Sequence, residues 1–144
     1  MINYVNGDLF EIAPKVKDAV IIHGANCFKT MGAGVAAIVA TRFNEAYQAD
    51  KNDNRLPQDR LGEFTYHDFG DFIIANAYSQ FKPGANVNYT AIRESLTNVK
   101  NKFTGKHFYL PQIGAGIAGG NWNFIEKIIE DVFKNEDITV VIYK

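Results

Sequence analysis

Apolar residues in this chain fall into short unbroken runs that alternate with longer stripes spaced three and four apart. Ala19-Val-Ile-Ile-His23 is one such run, and its continuity suits a central strand buried on both faces. Ile2 to Val5, Lys106 to Leu110 and Ile138 to Tyr143 are further strand signals. Glu63 to His67 alternates polar and apolar, and Asp68-Phe-Gly-Asp71 turns the chain into Phe72 to Tyr78, which predicts a hairpin. Stripes at Val35, Ile38, Val39 and Phe43, running on through Ala46 and Tyr47, predict a first core-facing helix. Tyr89, Ile92, Leu96, Val99 and Phe103 predict a second, and Trp122, Ile125, Ile129, Val132 and Phe133 a third. Residues 51–60 are polar, contain Pro57, and read as an exposed loop. Strands and helices thus interleave, with one hairpin between the first two long helices. That order predicts a three-layer α/β domain whose mixed sheet is parallel at its centre.

The bulk numbers narrow this picture. With 144 residues and 47% of them apolar, the chain fits one domain, residues 1–144, with a core that needs no staples. No linker divides it, and nothing repeats except two glycine turns. A net charge of −1 argues against a nucleic-acid partner, because phosphate-backbone binding needs clustered Lys and Arg. No apolar run approaches membrane-spanning length, and Met1 leads straight into a strand without a signal region. The expectation is a cytoplasmic monomer without membrane association. The single cysteine, Cys27, excludes an internal disulfide.

The chemistry gathers at the two glycine turns. Tyr109-Leu-Pro-Gln-Ile-Gly-Ala-Gly-Ile-Ala-Gly-Gly-Asn-Trp122 reads as a strand end, a glycine turn and a helix start. Glycine removes the Cβ that would hold a ligand away, so the loop amides can converge on an anion, and the helix that follows adds its own free N–H groups. Val20-Ile-Ile-His-Gly-Ala-Asn26, a connector, and Gly32-Ala-Gly34 opening an apolar helix repeat that construction. Two such cradles at strand ends predict one cleft and a ligand with a diphosphate flanked by sugars.

Other motifs weigh less. Gly114-x-Gly116-x-x-Gly119 fits a dinucleotide fingerprint literally, but Glu136 and Asp137 lie at the wrong end of the following strand to bind a ribose. Neither turn is followed by the Gly-Lys-Ser/Thr of a P-loop. His23, His67 and His107 have no metal-ligand spacing, so no metal or cofactor is expected. Cys27 reads as a small buried thiol rather than a nucleophile. Asp8, just past the Asn6-Gly7 turn signal, either caps the next segment or accepts from a ligand amine, with capping favoured. Asn26 either grips vicinal sugar hydroxyls or makes a local turn bond, two equal readings. Trp122 reads as a hydrophobic anchor, and Tyr143 as packing on a base or covering an edge.

Taken together, His23-Gly-Ala-Asn-Cys27, Met31-Gly-Ala-Gly-Val-Ala36, Gly7-Asp8-Leu9 and the run from Leu110 to Trp122 resemble the macrodomain family over essentially the whole chain. Within that family they look most like the branch that processes ADP-ribose 1″-phosphate or removes terminal ADP-ribose. The resemblance implies a three-layer α/β/α sandwich with a mixed sheet of about six strands, and ADP-ribose as ligand. Carried over by motif, Asp8 and Leu9 meet the adenine. Asn26, Thr30, Met31, Gly32, Ala33 and Gly34 embrace the distal ribose and part of the diphosphate, with Gln80 nearby. Ile113, Gly114, Ala115, Gly116, Ile117 and Ala118 wrap the phosphates.

Glycohydrolases of that branch use a lysine after the fourth strand and an aspartate in the glycine loop. Here Ala118 stands in the aspartate's place and Ser79 and Gln80 in the lysine's, with Lys82 close by but assigned no role. A positioned acid–base group is worth about 10²–10⁴-fold, so efficient glycohydrolysis is not expected. Phosphate removal from ADP-ribose 1″-phosphate leans more on positioning and preorganised donors. The expectation is an ADP-ribose-binding domain with phosphatase activity, His23 moving a proton or orienting water and Asn26 holding the ribose. The alternatives are a non-catalytic reader of free or protein-linked ADP-ribose and, behind it, a glycohydrolase with rearranged residues.

Overall fold

The computed structural model describes residues 1–143. Its strands are β1 (Asn3–Gly7), β2 (Ala19–Asn26), β3 (Phe64–Asp68), β4 (Phe72–Gln80), β5 (His107–Leu110) and β6 (Asp137–Tyr143). Its helices are α1 (Leu9–Ile12), α2 (Gly34–Arg42), α3 (Asn44–Lys51), α4 (Pro57–Arg60), α5 (Tyr89–Lys102) and α6 (Trp122–Val132), with a 3₁₀ turn at Ala13–Lys15. The strands form one sheet in the order β1-β6-β5-β2-β4-β3. Every neighbouring pair is parallel except β3 and β4, the predicted hairpin. This is the mixed three-layer α/β architecture expected from the alternation of runs and stripes.

Alternation along the strands sorts the core into two layers. Val20, Ile22, Ile73, Ala75, Phe108 and Val140 point into one buried cluster under α5 and α6. Ile21, Ala25, Ile74, Tyr78 and Val141 point into the other, shared with Leu9, Phe10, Val39 and Ala46 of α1, α2 and α3. β2 therefore has both faces covered, as its unbroken apolar run requires. Among the described residues no helix is long and apolar enough to cross a membrane.

Two stretches depart from expectation. The first predicted helix is broken at Phe43 (φ −132°, ψ 57°), which separates α2 from α3. The break turns the Phe43 ring into contact with Phe10, Phe69 and Phe72 at centroid distances of 5.2, 5.9 and 5.9 Å, and such aromatic pairs favour tilted or edge-on approach. Residues 51–60, read as an exposed loop, end in α4, and Arg60 is fully buried (0% exposed). Polar composition predicts exposure only for unpaired charges. Arg60 is ion-paired to Asp50 and Asp53, so it can lie inside.

Candidate functional site

The mutually parallel strands all end on one edge of the sheet, and their carboxyl ends line two adjoining cavities of about 420 Å³ each. The first lies over the ends of β2, β4 and β5 and is walled by both glycine turns, including Asn26, Gly34, Gln80, Gly114, Gly116 and Ile117. The second lies over the ends of β1 and β6 and is mostly apolar, walled by Gly7, Asp8, Leu9, Ile38, Val141 and Tyr143. Gly34, Val35 and Pro111 belong to both walls, so the two form one groove across the edge.

The first turn is aimed by the sheet. A register shift between Ala25 and Asn26 leaves Ser79 as an extra residue on β4, and sets Asn26 opposite Gln80. Bulges commonly re-aim side chains at sites, and here both residues reach the cavity wall. Asn26 Nδ2 donates to the Thr30 main-chain oxygen and to Thr30 Oγ1, both at 2.9 Å, and its Oδ1 accepts from the Phe28 amide at 2.8 Å. The local turn role is therefore fulfilled at the same time as Asn26 lines the cavity. α2 opens directly onto the groove, and Ala33 offers it no side-chain cap. Among the described residues the amides of Gly34, Val35 and Ala36 have no protein acceptor.

The second turn closes on its own backbone. Ala115 N donates to Gln112 O at 3.2 Å, Gly119 N to Gly116 O at 3.0 Å and Gly120 N to Gly114 O at 2.7 Å. Gly114 sits at φ +76°, and a Cβ there would come within 3.0 Å of Ile92 and 3.1 Å of Ile125, so any other residue is strained at this corner. The amides of Gly116, Ile117 and Ala118 are left without a protein acceptor among the described residues. All three line the first cavity. Two sets of main-chain donors without protein acceptors thus lie in the wall of one space, an arrangement suited to an anion.

Several expected positions are altered. α6 contributes no described residue to either cavity wall, and the Asn121 side chain caps its first turn through the Asn123 amide. The second cradle therefore consists of loop amides without a helix terminus. Met31 is buried in the α1–α3 core and Ala115 packs on the α5–α6 core, and neither lines the groove. Thr30, Gly32, Ala33, Ile113 and Ala118 do. Ile38, assigned to a core-facing stripe, instead forms part of the apolar cavity and is 36% exposed. Gly7, Pro111 and Gln112, which enter the sequence reading only as parts of family motifs, also line the groove, as do Phe10 and Pro83, whose local patterns carry no mark of a site.

His23 is the principal correction. Strand alternation places it on the face opposite Gly24 and Asn26, buried under α3, with Nε2 2.7 Å from Asn76 Oδ1. Burial holds its pKa below the usual 6.5, and its ring lies outside both cavity walls. It can neither move a proton to a bound ligand nor orient a water there. Cys27 is buried, its Sγ 3.5 Å from the Gln80 carbonyl oxygen, and desolvation pushes its thiol up to about 11, the state of an inert thiol. Among the described residues of the first cavity there is no carboxylate, imidazole, ammonium or thiol. In the second, Asp8 caps α1 through Oδ1 and the Phe10 amide at 2.9 Å while also facing the cavity. Tyr143, 82% exposed, stands beside it. Trp122 packs on the core as an anchor.

Fold and groove define a class: a three-layer α/β domain that presents free main-chain amides and an apolar recess side by side along the carboxyl edge of its sheet. No family model matches the chain. Relatives do. It is 33% identical to an uncharacterized 17.5 kDa protein of Enterobacteria phage T4, over 98% of this chain and 96% of that one. It is 30% identical to the ADP-ribose 1″-phosphate phosphatase of Candida albicans, over 91% of this chain and 93% of the relative. With the ADP-ribose glycohydrolase OARD1 of Bos taurus it shares 29% identity over 99% of this chain and 90% of the relative. The solved structure of a macrodomain protein from Streptomyces coelicolor superposes with a TM-score of 0.76 at 30% identity, covering 100% of this chain and 99% of that one. The chain belongs to the macrodomain family.

Proposed function

We propose that the groove binds ADP-ribose, with the adenine in the apolar cavity beside Asp8 and Tyr143 and the diphosphate between the two glycine turns. The distal ribose then sits against Asn26, Thr30 and Gln80. The observation that carries this reading is the pair of free-amide sets, at Gly34–Ala36 and Gly116–Ala118, facing one cavity that joins an apolar recess. Both volumes fall within the range of about 300–1,000 Å³ usual for small-molecule sites. Parallel calorimetric titrations with ADP-ribose, ADP and NAD test it. ADP-ribose binds more tightly than either of the others if the distal ribose is gripped at Asn26; equal affinities for all three overturn the assignment.

A second reading adds chemistry. Similarity to the Candida albicans phosphatase favours hydrolysis of ADP-ribose 1″-phosphate, which the free amides assist by stabilising charge on the phosphoryl oxygens. With no titratable side chain in the wall of the first cavity among the described residues, such turnover rests on positioning alone and is slow. Phosphate release above that of a Gly116→Glu control supports it. Intact ADP-ribose binding without release leaves a reader of ADP-ribose. The Ala118 position, where glycohydrolases of the resembling branch carry aspartate, argues against removal of ADP-ribose from protein carboxylates.

A further inference from the structure

Behind the first glycine turn, between the sheet and α3, lies a charged cluster outside the walls of the groove. Its centre is Arg60, fully buried. Arg60 Nε donates to Asp53 Oδ2 at 3.0 Å. Nη2 donates to the Asp50 main-chain oxygen at 3.3 Å, to Asp50 Oδ1 and to the Tyr78 hydroxyl oxygen. The guanidinium carbon lies 4.2 Å from the Tyr78 ring centroid. Asp53 is braced in turn by Arg55 Nε at 3.1 Å, and the Tyr78 hydroxyl donates to Asp50 Oδ1 at 2.7 Å. The remaining nitrogen, Nη1, leaves this closed set and donates to the Cys27 main-chain oxygen at 2.8 Å. Cys27 is the residue after Asn26 and opens the turn that runs to Thr30.

A buried ion cluster adds little net stability over well-packed apolar residues, so stability alone is a weak reason for this one. What the cluster supplies is direction. A planar guanidinium fixed on three sides can hold the Cys27 carbonyl in one orientation, which a single ammonium cannot do. That carbonyl sets the entry of the turn in which Asn26 Oδ1 accepts from the Phe28 amide and Asn26 Nδ2 reaches Thr30.

We propose that Arg60 is a positioning residue for the distal end of the groove: by holding the Cys27 carbonyl it sets the Asn26–Thr30 turn and thereby the preference for ligands that carry a second ribose. The proposal rests on the ADP-ribose reading of the groove. ADP, which ends at the diphosphate, does not reach Asn26 and is indifferent to Arg60.

The test compares Arg60→Lys, Arg60→Met and Tyr78→Phe with the unaltered protein by titration with ADP-ribose and with ADP. Loss of a charge-assisted bond at the turn lowers ADP-ribose affinity about tenfold in both Arg60 variants and leaves ADP affinity within about twofold. Tyr78→Phe removes a hydroxyl from the same cluster but keeps the Nη1 bond, so it lowers thermal stability without changing the ratio of the two affinities. An unchanged ratio in Arg60→Lys overturns the proposal, as does an equal loss for both ligands. Failure of both Arg60 variants to fold overturns it too, by assigning the residue to stability alone. Amide hydrogen exchange without ligand gives an independent reading: the Phe28 amide exchanges about tenfold faster in Arg60→Lys and is unchanged in Tyr78→Phe. Should the unaltered protein bind ADP-ribose no better than ADP, the ligand assignment fails, and the exchange experiment still decides whether Arg60 sets the turn.

Discussion

The two glycine turns face the same cavity but are held in different ways. The turn after β5 is a closed piece of backbone, tied by the bonds from Ala115, Gly119 and Gly120 to carbonyls within the same loop. Outside help comes from Val87 N, which donates to Ala118 O at 3.2 Å, and from the Tyr89 hydroxyl oxygen, which accepts from the Asn121 amide at the end of the loop at 3.0 Å. The turn after β2 leans on side chains, two of them from other elements. Arg60 holds the Cys27 carbonyl, Asn26 spans the turn, and the Tyr47 hydroxyl donates to Lys29 O at 3.1 Å, where Lys29 sits at φ +63°. A loop closed by its own backbone depends on local conformation and is broken from within. A loop braced by distant side chains can be loosened from α3 or α4 without touching the groove. One ligand site thus combines a locally encoded wall with one that exists only when the core behind it is assembled.

The largest expected effect comes from filling the locally encoded wall. A Cβ placed on Gly116 would meet nothing within 4 Å, and the residue has no positive φ, so Gly116→Glu folds normally and projects a carboxylate among the free amides. Like-charge juxtaposition costs several kcal/mol, and ADP-ribose affinity falls at least about 100-fold with the melting temperature unchanged. A parallel fall in stability would show that the loop is not independent of its filling.

Next is Gly114→Ala, which forces a Cβ into the φ +76° corner against Ile92 and Ile125. Left-handed backbone in a non-glycine residue costs about 1–2 kcal/mol, so the unfolding free energy drops by about that much, read from denaturant midpoints at constant slope. No loss would mean that the corner relaxes and that closure by backbone is not what holds this turn.

The smallest effect belongs to the polar layer behind the first turn. Because burial depresses the folded pKa of His23, the unfolded chain takes up a proton between about pH 6.5 and the lower folded value that the native protein does not. Stability is therefore full above about pH 6.5 and declines as pH falls through that window, by at most about 1.4 kcal/mol per pH unit. Denaturant titrations between pH 7 and pH 5 should show this slope, and His23→Gln should flatten it. An equal slope in the variant would place the proton uptake elsewhere.

Most of the fold is legible from spacing alone. The stripe from Tyr89 to Phe103 is α5, and the unbroken run at Ala19–His23 is the central strand, because periodicity reports which faces are covered. The hairpin of β3 and β4 follows from alternation interrupted by Asp68-Phe-Gly-Asp71. The glycine turns were also readable, since few other uses of the chain call for so many missing side chains after buried strands. The role expected of His23 was not borne out by its position. Proximity in sequence to Gly24 and Asn26 says nothing about which side of a strand a ring takes, and one step along β2 moved it from the groove to the layer under α3.

The amino-acid order by itself determined where strands, helices and backbone cradles form, because those depend on propensities and periods that act over a few neighbours. Tertiary structure alone decided that Arg60 and Asp50 go inside, that Ile38 joins a recess instead of the core, and which amides of the two meeting cradles stay free. Each of those outcomes depends on a partner many residues away: a carboxylate that neutralises a charge, a facing loop that completes a wall. Such a partner has no signature in the local pattern of the residue it serves.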